Sequence, residues 1–140
     1  MGKIPKQILA EKQNVEAALD NLKKAMARKN RSTIELAAIG TFLHNIYGGI
    51  ESVLKQALRL KNVELPKSDS WHKDLLNLSV SKGIISETLS DQLYEYLTFR
   101  HFFIHSYGFM LEEKQLKGLA GNVHYIWTEF MSEISAAIAQ

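Results

Sequence analysis

Only two prolines interrupt this chain, Pro5 and Pro66, and both fall where a helix starts or a connection runs. Around them apolar residues recur at intervals of three, four and seven, without an alternating stretch or an Asn-Gly hairpin turn. That pattern buries stripes on helices. A first helix is predicted from about Pro5 to about Arg28, with Ile8, Val15, Leu19, Leu22 and Met26 on one face. Ser32-Thr33-Ile34-Glu35 reads as a capping box, Ser32 as N-cap and Glu35 at N3. It opens a long second helix whose stripe of Ile39, Phe42, Ile46, Ile50, Val53 and Ala57 runs to about Leu60. The short connection predicts that these two helices lie antiparallel. Gly48 and Gly49 inside the second helix each cost about 1 kcal/mol relative to alanine, so a close crossing or a local bend is expected there.

Residues 61–70 read as a loop. A short helix over Trp71 to Ser81 follows, capped by Ser70 or Asp69 and ended by Lys82-Gly83. Ser86 or Thr88 opens a fourth helix that reaches about Tyr107, where Gly108 loosens or ends it. Glu112 to about Ala139 forms the fifth, striped by Leu116, Leu119, Val123, Ile126, Phe130, Ile134 and Ala137. The expected fold class is all-α: an antiparallel up-and-down bundle of four long helices plus one short one, as a single domain over 1–140.

Composition narrows the function classes. The chain has no cysteine, which excludes a disulfide framework and a thiolate metal site. No apolar run approaches the roughly 18–20 residues of a membrane span. The first residues mix charged with apolar side chains, unlike a secretory signal, so a cytoplasmic protein is expected. A net charge of +2 is too mild to mark a nucleic-acid binder by itself. Phosphate-cradling glycine loops, a G-x-S-x-G elbow and tight carboxylate clusters are all missing.

The chemistry concentrates in Phe99-Arg100-His101-Phe102-Phe103-Ile104-His105-Ser106-Tyr107-Gly108. Arg100 continues the stripe Leu89, Leu93, Tyr96, Leu97, and Tyr107 lies seven positions on, nearly eclipsed with it at about 3.6 residues per turn. An arginine on a buried stripe is costly unless a carboxylate, a phosphate or water meets it. His105 points roughly 140° away from Arg100 on an ideal helix, so a kink toward Gly108 or a second copy of the chain would help them converge on one ligand. Arginine offers a planar fork of donors to a phosphate, and histidine moves protons near neutral pH. A tyrosine hydroxyl donates to a phosphate oxygen or attacks a nucleotide. These groups suffice for metal-free RNA cleavage. An imidazole deprotonates the 2′-hydroxyl, which attacks the adjacent phosphate, while arginine stabilises the transition state.

The run from Arg100 through His105 to Tyr107 resembles the R-x(4–6)-H-x-Y motif of the HEPN superfamily. It is most similar to HepT-type ribonuclease toxins paired with minimal nucleotidyltransferase (MNT) antitoxins. The all-helical architecture resembles that family over essentially the whole chain, and the polar His101 after the arginine fits its habit. The resemblance implies a metal-independent endoribonuclease toxin acting on cellular RNA, with Arg100 and His105 catalytic. It implies a homodimer in which two motifs line one cleft, with Tyr96, Arg100, Phe103 and Tyr107 as the shared surface. It also implies an MNT antitoxin that attaches AMP to Tyr107, placing bulk and negative charge beside Arg100. His101, Ser106 and His72 are expected to support the site or contact RNA. No cofactor is expected. A second reading is a non-catalytic subunit that binds nucleotide or substrate for a nucleotidyltransferase.

Other candidates have plainer readings. His101 and His105 are four apart, a metal-sharing spacing, but no third ligand is evident and no metal is expected. His72 caps its helix or reaches the cleft. His44 and His124 read as partly buried imidazoles, and Lys23, Lys24, Arg28 and Arg31 as a solvated helix end, with an RNA-backbone contact as the alternative.

Overall fold

The computed structural model describes residues 4–107 and 111–139, the side chains of Ser106 and Tyr107 excepted. Its helices are α1 (Lys6–Met26), α2 (Thr33–Leu60), α3 (Trp71–Ser81), α4 (Glu87–Phe102) and α5 (Glu113–Ala139), with a π-helical turn over Phe103–Tyr107 between the last two. Among the described residues there is no strand. The fold is all-α, as the periodicity predicts. Gly108 lies outside the described residues, so its expected role in ending the fourth helix does too.

α2 is the central element and packs against α1, α3, α4 and α5. Its stripe is buried almost without interruption: Ile39, Leu43, Ile46, Ile50, Val53, Leu54, Ala57 and Leu58. Each such aliphatic side chain contributes roughly 1.5–3 kcal/mol of transfer free energy. α1 lays Ile8, Val15, Leu19 and Leu22 against it, and α5 adds Val123, Ile126, Trp127, Phe130 and Ile134. The capping box forms: Glu35 accepts from both the amide and the hydroxyl of Ser32. Those two contacts hold the Glu35 carboxyl below the ordinary glutamate value, the hydroxyl contributing most.

The paired glycines separate in role. A Cβ on Gly49 would collide with Val15, so this is the close crossing of α1 on α2. A Cβ on Gly48 would meet nothing within 4 Å, and packing does not account for it. Gly40 makes a second close approach, to Phe103 of the π-turn and to Leu111.

Ser86 caps α4 by accepting from the Leu89 amide at 3.1 Å, and its own amide and hydroxyl donate to Glu133 of α5. Arg31 departs from the solvated helix end predicted for it. Its Nη1 donates to the carbonyls of Met26 and Arg28 at 2.7 and 2.9 Å, and its Nε donates to Glu113 at 2.6 Å. One guanidinium thus closes the end of α1 and ties it to the start of α5.

Candidate functional site

The apolar stripe of α4 delivers Arg100 to the site. Leu89, Leu93, Leu97 and Phe99 are buried. Tyr96 is buried as well, and its hydroxyl donates to the Leu119 carbonyl on α5 at 2.7 Å. This corrects the expectation that Tyr96 belongs to a shared dimer surface. An aromatic ring one turn before Arg100 is what the α4–α5 contact requires, and its polar tip is already satisfied. Phe103 is half-buried, stacked on Phe99 and edge-on to His44. Its ring is also largely committed to this chain.

Arg100 itself is half-buried. It lines a cleft of about 310 Å³ between α4 and the start of α3, together with His72, Lys73, Tyr94, Thr98 and His101. Among the described residues, no carboxylate pairs with it. Its charge is felt inside the bundle. Burial, with Arg100 second, pushes the His44 imidazole below the usual histidine value. Tyr47 is pushed well above the ordinary phenol range, first by burial and then by the nearby Glu51 carboxylate.

Glu51 is the acid that sequence reasoning missed. It sits on the buried face of α2, only 4% exposed, and its carboxylate lies 2.7 Å from Nδ1 of His72. With Glu51 ionised, its carboxylate can only accept, so Nδ1 carries the proton and Nε2 is the nitrogen left for another partner. The signal was available: Glu51 interrupts the apolar run of α2 as Arg100 interrupts that of α4. The His72 ring stacks on Trp71, and Lys55 lies over that indole with Nζ 4.1 Å from the ring centroid. Lys73 extends over Tyr94, 5.8 Å from its ring centroid, on the opposite wall.

The structure brings Arg100, His101 and His72 to one cleft. His105 does not line it. Its exposed ring instead packs on that of His101, with centroids 4.3 Å apart, at the cleft's margin. Where an ideal helix would turn His105 away, the backbone widens into the π-turn, which shifts the side-chain register after Phe102. The side chains of Ser106 and Tyr107 lie outside the described residues. His124 is exposed on α5, contrary to the half-buried reading. No group of three His, Asp or Glu able to hold a metal occurs among the described residues. No helix there is long and apolar enough to cross a membrane.

Arg100 and Lys73 outweigh the one acid of the cleft wall, Asp69, and a guanidinium without a carboxylate partner, imidazoles on two sides and an exposed aromatic ring suit a phosphate ester carrying a base. A protein-family model described as HepT-like protein matches residues 38–140, which includes every site residue named above. No curated protein and no solved structure matches the chain.

Proposed function

This chain belongs to the HepT-like family of HEPN proteins, and from that premise we propose that it is the toxin of a toxin–antitoxin pair: a metal-independent endoribonuclease. One observation carries the reading. Arg100 stands half-buried in a cleft without a carboxylate partner among the described residues, beside His72 and His101. A guanidinium left unpaired at partial burial is a binding site for an anion, and a planar fork suits a phosphodiester.

In this reading Arg100 stabilises the charge that builds on the phosphoryl oxygens, and His105 removes the proton from the 2′-hydroxyl. The oxygen then attacks the adjacent phosphorus and expels the 5′-oxygen. The products are a 2′,3′-cyclic phosphate, or the 3′-phosphate formed from it, and a 5′-hydroxyl. Two chains associate about a two-fold axis so that both copies of the motif serve one composite cleft. The partner antitoxin is an MNT-type nucleotidyltransferase that transfers AMP to the hydroxyl of Tyr107, opposing Arg100 with added negative charge. The test is incubation of partner-free, AMP-free protein with total RNA in EDTA, beside Arg100→Ala and His105→Ala. Cleavage by wild type alone is expected. Cleavage that survives both substitutions would remove the assignment.

A second reading rests on one specific observation, that His105 is absent from the walls of the Arg100 cleft. The protein would then hold a nucleotide through Arg100, Lys73 and Tyr94 as a binding subunit of a nucleotidyltransferase. A folded, unmodified dimer that binds a nucleotide but cuts no RNA would favour it.

A further inference from the structure

We propose that His72, held by the buried carboxylate of Glu51, is the general acid that protonates the 5′-oxygen as it leaves. The role rests on the ribonuclease reading above and names a group that the R-x4-H-x-Y motif does not contain.

Glu51 is the only buried acid among the described residues; its carboxylate lies 2.7 Å from Nδ1 of His72 and also faces the buried hydroxyl of Tyr47. A buried carboxylate needs a partner to compensate the water it has lost. Here the partner is an imidazole that is itself partly open to solvent on the cleft wall, its side chain 23% exposed. The hydrogen bond does two things. It fixes the ring and its tautomer, and it sets a counter-charge against an imidazolium. That combination serves a proton donor. His105, by contrast, has no carboxylate partner among the described residues, and its exposed ring packs on that of His101. The two imidazoles therefore differ in equipment: one is free to accept a proton, the other is built to hold one.

The reaction balances with these two groups. His105 takes the proton from the 2′-hydroxyl as the 2′-oxygen forms its bond to phosphorus. The bond from phosphorus to the 5′-oxygen breaks with its electron pair on that oxygen. Nε2–H of His72 transfers its proton there, giving a 5′-hydroxyl and a cyclic phosphate. Exchange with water then returns both rings to their starting states. The charged and titratable groups around His72 and its carboxylate are Tyr47, Glu51 and Lys55 from α2, Asp69 just before α3, Lys73 in its first turn, and Tyr94, Arg100 and His101 from α4. Glu51 is a positioning residue, since it acts through the imidazole.

The discriminating substrate is an RNA oligonucleotide whose scissile 5′-oxygen is replaced by sulfur, because a thiolate leaves without a proton. Against ordinary RNA, His72→Asn is expected to lose about 10²–10⁴-fold in kcat. Against the sulfur substrate it should cleave close to the wild-type rate. His105→Ala should remain slow on both. The double variant Glu51→Gln/His72→Asn, which leaves no unpaired buried carboxylate, should behave as His72→Asn does. Glu51→Gln alone should move the alkaline limb of the kcat profile to lower pH, because the imidazolium loses its counter-charge. Three results would overturn the proposal: His72 variants at wild-type rate on ordinary RNA, His72 variants equally slow on both substrates, or an alkaline limb unmoved in Glu51→Gln. If wild type cleaves and Arg100→Ala does not, such a result removes only the role of His72. If wild type cuts neither substrate, the ribonuclease reading falls with it.

Discussion

A Cβ placed on Gly40 would lie 2.7 Å from Cε1 of Phe103, so the centre of the bundle and the π-turn meet where only glycine fits. Phe103 opens the turn that carries His105, and its ring is wedged among Gly40, His44 and Phe99. A methyl group at position 40 must push that ring, and the turn with it. Gly40→Ala should cost about 1–3 kcal/mol of stability by overpacking. It should also lower RNA cleavage by roughly tenfold to a hundredfold at a temperature where the variant is fully folded, because small misplacements of reacting groups are costly. Thermal melts and cleavage rates on the same preparations check this.

The adjacent glycines of α2 provide an internally controlled pair. Gly49→Ala drives a methyl group into Val15 and should lower stability by about 1–3 kcal/mol, or about 3–4 °C in Tm per kcal/mol. Gly48→Ala meets open space and should raise stability by about 0.4–1 kcal/mol through the unfolded chain. Calorimetry on the two single variants should move in opposite directions.

His44 supplies a pH dependence of known sign. Burial, followed by Arg100, lowers its titration in the folded chain below the ordinary histidine value of 6.5. The unfolded chain therefore takes up a proton at a pH where the folded chain does not. Stability from this group is fully present above about pH 6.5 and is lost as pH falls from there toward the lower folded value. Its Nδ1 has no hydrogen-bond partner among the described residues, so an apolar replacement gives up little. Urea unfolding between pH 8 and pH 5 should show His44→Leu less sensitive to acid than wild type.

Arg31 should be worth more than a surface arginine. Truncation to alanine exposes two carbonyls at the end of α1 and unpairs Glu113, for an expected loss of about 1–3 kcal/mol. Arg31→Lys should recover less than half, since an ammonium cannot reproduce the fork. Urea midpoints of both variants test this, with little dependence on salt because most of the effect comes from backbone hydrogen bonds.

The helices were legible because their determinants are local. Periodic stripes, the Ser32–Glu35 box and Ser86 act within a few residues of themselves, and each stands in the structure where its spacing puts it. The interruptions of those stripes by Arg100, and by Glu51, also mark the cleft. What the sequence hides is set between helices. That Tyr96 spends its hydroxyl on Leu119 depends on where α5 packs, and that Arg31 clamps α1 depends on Glu113, 82 residues away. The Glu51–His72 pair spans 21 residues and two helices, so no local pattern announces it. The π-turn is equally hidden, because Phe103 to Tyr107 would continue an α-helix by spacing alone, and its close approach to Gly40 lies between helices distant in sequence.

The central claim is that Arg100 serves a cleavage driven by the ribose 2′-hydroxyl. It is tested most directly with an RNA oligonucleotide containing one cleaved linkage, compared with the same strand carrying a single 2′-deoxynucleotide on the 5′ side of that linkage. In EDTA, wild type should cut the all-ribose strand, leave a 2′,3′-cyclic phosphate, and spare the substituted linkage completely, while Arg100→Ala should cut neither. Cleavage at the deoxy position, or undiminished cleavage by Arg100→Ala, would contradict the account.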